Sequence, residues 1–200
     1  MVSRRYETGP DATIRATDEA LTRAVDARAV ILVEGTSDQI VLESLATRLD
    51  RDLDADGVVV APIGGAHAIR NIIDHFAHRT DLRLSGLVDR AEADVFVAAA
   101  AATPLLDPSR IHVCHDDLED ELIRAMDPDE LETLLDAEGD LGAFRTMQHQ
   151  PAWREQPVGD QMHRWMRSIS GRTNTYGDLI VRHAETSRLP KPLVATIEGA

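Results

Sequence analysis

The chain has 200 residues, of which 43% are hydrophobic, and a formal net charge of −14 at pH 7. This length predicts one domain with a large core, or one domain with an appendage. No apolar stretch approaches the roughly 20 residues that a membrane span needs, and the net charge argues against simple coating of nucleic acid or of an anionic membrane. The single cysteine, Cys114, excludes an internal disulfide and favours the reducing cytoplasm.

The charge is unevenly distributed along the chain. Residues 141–200 carry eight basic and five acidic residues, a net charge of +3, so the other residues sum to −17. An acidic body with a basic tail predicts that the tail, rather than the body, faces an anionic partner such as nucleic acid.

The elements are predicted as an alternation of helices and strands. A helix with a Thr or Asp cap is expected in TDEALTRAVDA, residues 17–27. Four short runs rich in Val, Ile and Leu follow, at residues 29–35, 57–64, 83–89 and 110–116. Their lack of alternation predicts strands covered on both faces. Helical patterns separate the runs, at residues 37–49, 66–78 and 91–102. The fold class is therefore α/β, an open sheet of about four parallel strands with helices on both faces.

Helical patterns dominate after the fourth strand. Asp127-Pro128 opens one helix that ends at Gly139, and further patterns occupy residues 141–150, 159–170 and 176–189. We expect these helices to pack on the sheet through Trp153, Trp165 and Tyr176. The predicted division is an N-terminal helical segment (1–27), an α/β domain (28–126) and a helical C-terminal extension (127–200).

Acidic residues stand at the ends of three of the four predicted strands. Glu34 ends the first strand, Asp89 ends the third, and an acidic group at 116–119 follows the fourth. Asp38 and Glu92 come shortly after the first and third strands. Ligands bind at the carboxyl ends of strands in an open parallel sheet. Acids that converge there repel one another unless a hard cation such as Mg²⁺ binds them. The sequence therefore predicts a metal site at this edge.

Simpler roles remain open for several of these residues. An Asp at a strand end also caps helices, and acids in the first turn of a helix stabilise its dipole. Glu34 fits these roles less well, because glutamate has no strong capping preference. Gly64-Gly65 precedes a helix and could present backbone N–H groups to a phosphate, or form only a tight turn. The turn is neither a P-loop nor GxGxxG, and no His/Cys set has zinc spacing.

Four segments resemble, in order, spacing and strand context, the TOPRIM domain of OLD-family (overcoming lysogenization defect) nucleases. They are LVEGTSDQIVLESLA, VVAPIGGAHAIRNI, SGLVDRAEAD and HDDLEDELIRAM, within residues 28–126. The resemblance implies a compact domain with a central parallel sheet, and phosphodiester chemistry with two Mg²⁺ or Mn²⁺ ions. The tail is similar to the helical extension of stand-alone TOPRIM proteins. OLD nucleases also carry an ATPase, whereas this sequence has no Walker A motif, so the resemblance implies a stand-alone form or a separate ATPase partner.

The resemblance assigns roles to individual acids. Glu34 matches the glutamate after strand one, a metal ligand or general acid/base, and Asp38 matches a further ligand one helical turn later. Asp89 matches the first aspartate of the D-x-D motif. Asp117 and Glu119 match the acidic group that helps to hold a second ion.

The sequence departs from the family pattern at two places. Ala91 stands where D-x-D needs its second acid, so Glu92 is the candidate substitute ligand, and Arg90 beside the motif could repel a cation. The OLD-type catalytic lysine also has no clear match, because Lys191 lies late in the chain and SGRTN offers Arg172 instead.

The predicted function is an endonuclease that hydrolyses DNA or RNA phosphodiester bonds by a two-metal mechanism. Glu34, Asp89 and Arg172 are the candidate catalytic residues. Basic residues of the tail would grip the nucleic-acid backbone, or form only a solvated helix face; they are Arg164, Arg167, Arg172 and Lys191. Two alternatives remain open. One is a catalytically silent TOPRIM module that binds nucleic acid or a protein partner. The other is a nucleotidyl transferase, which would need additional domains.

Overall fold

The structure is a computed structural model, and it describes residues 11–65 and 68–200. The predicted alternation of helices and strands is present in the first part of the chain. In order, the elements are α1 (Ala12–Arg23), β1 (Ala29–Val33), α2 (Thr36–Arg48), β2 (Val58–Pro62), α3 (Ile69–Phe76), β3 (Arg83–Val88), α4 (Ala93–Ala100), β4 (Leu106–Val113) and α5 (Leu118–Arg124).

Five further helices follow in the C-terminal part of the chain. They are α6 (Pro128–Ala137), α7 (Leu141–Gln148), α8 (Val158–Met166), α9 (Arg172–His183) and α10 (Lys191–Glu198). Asp127 and Glu130 form a capping box at the start of α6, as expected for an Asp-Pro opening. No helix of the described residues is long and apolar enough to cross a membrane.

The four strands form one parallel sheet in the order β2-β1-β3-β4. Ala29 of β1 lies opposite Val58 of β2 and Arg83 of β3, so the three strands start nearly level. The α/β prediction, with a parallel sheet covered by helices, is thereby confirmed. All four carboxyl ends consequently lie at one edge of the sheet.

Successive residues of the strands enter two separate cores, as the twofold side-chain period of a strand requires. Val30 and Leu32 face a core built with α1, α3 and α4. Ile31 and Val33 face a second core, which includes α2 and residues from every helix between α5 and α10. The C-terminal helices therefore cover one face of the sheet.

The contact between α2 and α9 is especially close. A Cβ atom built on Gly177 of α9 would lie 2.6 Å from Cγ2 of Val41 in α2, so only glycine fits. Two of the three predicted anchors, Trp165 and Tyr176, are buried in the same core, and Trp153 packs against it. This packing fixes α8 and α9 beside the carboxyl edge of the sheet.

Three details differ from the sequence prediction. Helix α1 begins earlier than expected, and Thr17 donates a hydrogen bond from inside it to the carbonyl of Pro62 (2.6 Å) instead of capping it. Strand β4 begins at Leu106, because an edge strand tolerates Pro108 and a register shift opposite β3. Helix α10 was not predicted. Ala66 and His67, in the helical pattern predicted at 66–78, and residues 1–10 of the predicted N-terminal helical segment lie outside the described residues.

Candidate metal and nucleic-acid site

The predicted acids converge at the carboxyl edge of the sheet. A cleft of about 460 Å³ is lined by four of them, Glu34, Asp38, Asp89 and Glu119. Asp117 lies beside the cleft, close enough for its charge to act on Asp89. Glu34 and Asp89 directly follow β1 and β3, Asp38 lies in the first turn of α2, and these three acids are called the strand side. Asp117 and Glu119 come from the start of α5 and are called the helical side.

Glu34 ties the ends of neighbouring strands together. Its Oε1 accepts a hydrogen bond from the backbone N–H of Asp89 (3.1 Å), and its carbonyl accepts from the N–H groups of Gly64 (3.0 Å) and Gly65 (3.2 Å). Both glycines have positive φ, 76° and 105°, which permits this double contact. Gly65 lines the cleft, but these two amides are already engaged by Glu34 and are not presented to a phosphate.

Asp38 and Asp89 each make one structural hydrogen bond. Asp38 Oδ2 accepts from the N–H of Gly35 (2.9 Å) at the start of α2, and Asp89 Oδ1 accepts from the N–H of Leu118 (3.1 Å) at the start of α5. The capping role considered for these acids is therefore present. Each acid uses one carboxylate oxygen in this way, so its second carboxylate oxygen can still bind an ion.

The carboxyl groups of the strand side have raised pKa values. Burial, followed by the charges of Asp38 and Glu34, raises the pKa of Asp89 from 3.8 to about 8. Burial, and then the charges of Glu34 and Glu119, raise the pKa of Asp38 from 3.8 to about 7 against the Gly35 hydrogen bond. Burial also raises the pKa of Glu34. An oxygen-only set of acids that resists ionisation in the absence of a cation fits a hard divalent ion.

The helical side is in the opposite condition. Asp117 caps α5 by accepting from the N–H of Asp120 (2.9 Å). Its Oδ2 also contacts Nε2 of His163 (2.7 Å) and a guanidinium nitrogen of Arg167 (2.9 Å). Burial alone would raise the pKa of Asp117, but these hydrogen bonds and the neighbouring charges outweigh it and lower the pKa. The carboxylate is therefore already neutralised by protein groups.

Glu119 is held by the C-terminal helices as well. The hydroxyl of Thr173 donates to its Oε1 (2.9 Å), and Arg167 lies 3.8 Å from its Oε2. Its side chain is only 13% exposed. The helical side thus depends on α8 and α9, which lie about fifty residues further along the chain.

His163 is a site residue that the sequence analysis missed. Ligand atoms of Asp117, Glu119 and His163 lie within 4.8 Å of one another and could hold a metal ion. His163 and Arg167 are four residues apart in α8, a spacing that places both on one helix face. That spacing was visible in the sequence, but nothing local showed that the face meets α5. Among the described residues, His115, Asp116 and Asp120 form a second such group, more exposed and outside the cleft.

The residues that depart from the family motif lie beside the cleft. Glu92 is near enough to Glu34 to help raise its pKa, but it does not line the cleft. Arg90 donates from Nε to the carbonyl of His115 (2.9 Å), so its side chain is fixed on backbone. Ala91 is exposed in a 3₁₀ turn.

The predicted basic residues separate into two groups. Arg167 lines the acidic cleft with half of its side chain exposed, and Arg164 lines an adjoining hollow with Arg167, His163 and Trp153. Arg172 and Lys191 are not brought to the acids. The Arg172 guanidinium stacks 3.6 Å from the ring centroid of Trp165 and donates to Ser168 (2.6 Å). This packing does not support the predicted catalytic role of Arg172. Lys191 is exposed at the start of α10.

The sheet order and the acidic edge define an α/β domain with a cluster of carboxylates at the carboxyl ends of its parallel strands. Residues 27–90 match the family model described as overcoming lysogenization defect protein-like, TOPRIM domain. This segment of the chain is therefore an OLD-like TOPRIM segment, which confirms the resemblance. No curated protein matches the chain.

Solved structures extend the likeness of fold beyond that segment. The C-terminal region of the Xanthomonas campestris pv. campestris OLD protein is 19% identical, with a TM-score of 0.63 over 87% of this chain and 94% of that chain. The C-terminal region of the Burkholderia pseudomallei OLD protein is 16% identical, with a TM-score of 0.61 over 86% and 96%. At these identities the likeness shows the fold, and this shared fold extends beyond residue 90.

Proposed function

We propose that the protein is a Mg²⁺- or Mn²⁺-dependent nuclease that hydrolyses phosphodiester bonds of DNA or RNA. The observation that carries the proposal is the strand side, where three carboxylates from different elements face one cleft with raised pKa values. A bound divalent ion would supply Lewis-acid activation of the phosphate and of a water molecule. TOPRIM domains act on nucleic acids with divalent metals, which agrees with this assignment.

The strand side would hold the ion through Glu34, Asp38 and Asp89. Each lines the cleft and accepts a hydrogen bond from a backbone N–H with one carboxylate oxygen, which restricts the rotamers of the side chain. Such preorganisation favours catalysis, because the ligands do not rearrange when the reaction proceeds. Glu92 would not bind the ion directly but would act through its negative charge, which raises the pKa of Glu34.

Basic residues of α8 would receive the substrate. Arg167 faces the cleft, and Arg164 faces the adjoining hollow of about 500 Å³ that also contains Trp153. A nucleic-acid strand that passes from the hollow to the cleft would meet arginine before the metal, in accord with the basic balance of residues 141–200. Arg172 and Lys191 are left out of this path. A separate ATPase partner remains a prediction from the family.

The test is cleavage of supercoiled plasmid, single-stranded DNA and RNA with Mg²⁺, Mn²⁺ or EDTA. We expect metal-dependent products that disappear in Glu34→Gln and Asp89→Asn, each losing at least about 100-fold in rate. Asp94→Asn is the matched control, since Asp94 is an exposed acid at the start of α4 outside the cleft. It should cleave at the wild-type rate.

Two other outcomes would replace the proposal. Nucleic-acid binding that EDTA does not affect, without cleavage under any metal, would indicate the silent module suggested by Ala91. Products that form only with nucleoside triphosphates would indicate nucleotidyl transfer. Metal-dependent cleavage that survives Asp89→Asn would place the active site elsewhere.

A further inference from the structure

The two sides of the cleft differ in how their negative charge is balanced. On the strand side, no protein cation forms an ion pair with Glu34, Asp38 or Asp89 within the described part of the chain. On the helical side, Arg167 and His163 both contact the same oxygen of Asp117, at 2.9 and 2.7 Å. Arg167 also reaches Glu119 at 3.8 Å. A single guanidinium therefore spans both acids of the helical side.

Three of the four carboxylate oxygens of the helical side already accept hydrogen bonds from protein groups, and the fourth, Glu119 Oε2, lies 3.8 Å from Arg167. Asp117 uses Oδ1 for the N–H of Asp120 and Oδ2 for His163 and Arg167. Glu119 uses Oε1 for Thr173. An ion here would have to displace Arg167 or bind beside its fixed positive charge. Guanidinium stays charged at every accessible pH, so the obstacle does not vanish by deprotonation.

We propose that Arg167 takes the place of a second divalent ion. It neutralises the helical side, and the cleft binds one ion, on the strand side. The inference rests on the proposed function, because it concerns the number of ions at the same site. It also gives His163 a positioning role, since His163 holds the Asp117 oxygen that Arg167 contacts. The protein would then be a one-ion hydrolase with a permanent cation in the second position.

The test counts Mn²⁺ ions bound per chain, by calorimetric titration and by electron paramagnetic resonance of the free ion. All proteins carry Asp116→Asn, which removes a ligand from the surface group with His115 and Asp120. We expect one ion in this background and two after Arg167→Gln. That change removes the cation from Asp117 Oδ2 and Glu119 Oε2, and these two acids and His163 have ligand atoms within 4.8 Å of one another. Adding Asp117→Asn to Arg167→Gln should return the count to one.

Arg145→Gln is the matched control. It removes the same charge from an arginine that pairs with Glu132 (2.7 Å), an acid that does not line the cleft. Its count should stay at one, with a fold verified by circular dichroism.

The possible outcomes separate the inference from the proposed function. Two ions in the Arg167-containing protein, or one ion in a folded Arg167→Gln variant, would overturn the inference and leave the nuclease proposal standing. No bound ion in either protein would overturn the proposed function and the inference with it. If Arg167→Gln does not fold, the count in the Arg167-containing protein decides: one ion supports the inference and two refute it.

Discussion

The two sides of the cleft carry acids of the same kind in opposite electrostatic conditions. On the strand side, burial and mutual repulsion raise the pKa of Asp89 to about 8 and of Asp38 to about 7. On the helical side, hydrogen bonds and nearby cations lower the pKa of Asp117. The two groups are close in space, because Asp89 accepts a hydrogen bond from the N–H of Leu118, the residue after Asp117. Their difference therefore comes from their neighbours and not from depth alone.

The difference shows that an acidic cleft is not a uniform cation site. Carboxylates without a protein cation remain costly to ionise until a metal arrives, whereas paired carboxylates offer little further gain to a metal. Backbone N–H groups of Gly35, Asp89 and Leu118 supply the hydrogen bonds of the strand side. The C-terminal helices supply the cations of the helical side. Metal affinity should therefore depend on the two sides unequally.

The largest expected effect is on metal affinity. Asp89→Asn keeps an oxygen that can accept from the N–H of Leu118, but it removes the charge at the centre of the strand side. We expect Mn²⁺ affinity to fall by more than about 100-fold, because removing a residue that only hydrogen-bonds to a metal ligand already lowers metal affinity by up to about 100-fold. Asp117→Asn should lower affinity less than about tenfold, because that carboxylate is already paired. Calorimetric titration at pH 7 measures both.

Equal losses of Mn²⁺ affinity in Asp89→Asn and Asp117→Asn would contradict the difference between the two sides. Equal losses would mean that both sides hold the same ion, and that Arg167 moves away when the ion binds. Thermal unfolding in EDTA separates loss of ligand from loss of fold, because metal stabilises the native state only where it binds.

The pH dependence of metal-free stability should also distinguish the two sides. A carboxyl whose pKa is raised in the native state binds a proton there more tightly than in the unfolded chain. The native state is then favoured below pH 3.8, and this advantage is lost as the pH rises toward 7 for Asp38 and 8 for Asp89. A carboxyl with a lowered pKa, such as Asp117, loses its contribution only as the pH falls below 3.8.

Thermal unfolding in EDTA should therefore show a midpoint that falls between pH 5 and pH 8. Asp89→Asn should flatten this slope, because it removes the carboxyl group whose pKa is raised to about 8. Comparing this variant with the wild type cancels the contribution of His112, which does not line the cleft. A wild-type midpoint that rises across this range would contradict the raised pKa values.

The acids of the strand side could be predicted from the sequence, because their positions follow from the strand pattern alone. Acids after apolar runs must lie at the carboxyl edge of a parallel sheet, so Glu34, Asp38 and Asp89 could be named without coordinates. Asp117 and Glu119 were also placed correctly beside them. Their hydrogen-bond partners could not be read, because His163, Arg167 and Thr173 arrive through the packing of α8 and α9, which no local pattern specifies.

The same limit explains the misplaced arginine. Arg172, in the segment SGRTN, was the candidate to replace the catalytic lysine of the family. Its charge does not indicate which way its side chain points in the fold. The structure turns it onto Trp165, where stacking and backbone contacts hold it. Arg167, five residues earlier, faces the acids instead. Arg167 directly follows α8 and Arg172 begins α9. The connection between the two helices therefore decides which arginine meets the cleft, and sequence spacing alone does not specify it.

The next effect is on stability and concerns the close contact that positions α9. Gly177→Ala would place Cβ 2.6 Å from Val41, whose β-branched side chain has little freedom to move. We expect a loss of about 3 kcal/mol in the free energy of unfolding, the upper end for overpacking. Gly142→Ala is the control, because Gly142 also lies in a helix and nothing lies within 4 Å of its added Cβ. Urea denaturation of the metal-free proteins measures both.

Gly177→Ala also sharpens the comparison between the two sides. A shifted α9 displaces Thr173 from Glu119, whereas the strand side is held by backbone N–H groups of residues outside α9. Mn²⁺ affinity should therefore change less than tenfold in the folded variant. A loss as large as that of Asp89→Asn would show that α9 supports the strand side as well.

The smallest expected effect comes from Thr173→Val, which removes the hydroxyl that donates to Glu119 at 2.9 Å while keeping nearly the same side-chain volume. We expect a loss of about 1 kcal/mol in the free energy of unfolding, because one hydrogen bond is lost and Arg167 still faces the carboxylate. Thr175→Val is the control for the same change in α9, because the Thr175 hydroxyl donates to the carbonyl of Gly171 (3.3 Å) and Thr175 does not line the cleft. Mn²⁺ affinity should be unaltered if the ion lies on the strand side; a matching loss of affinity in Thr173→Val alone would move the ion toward Glu119.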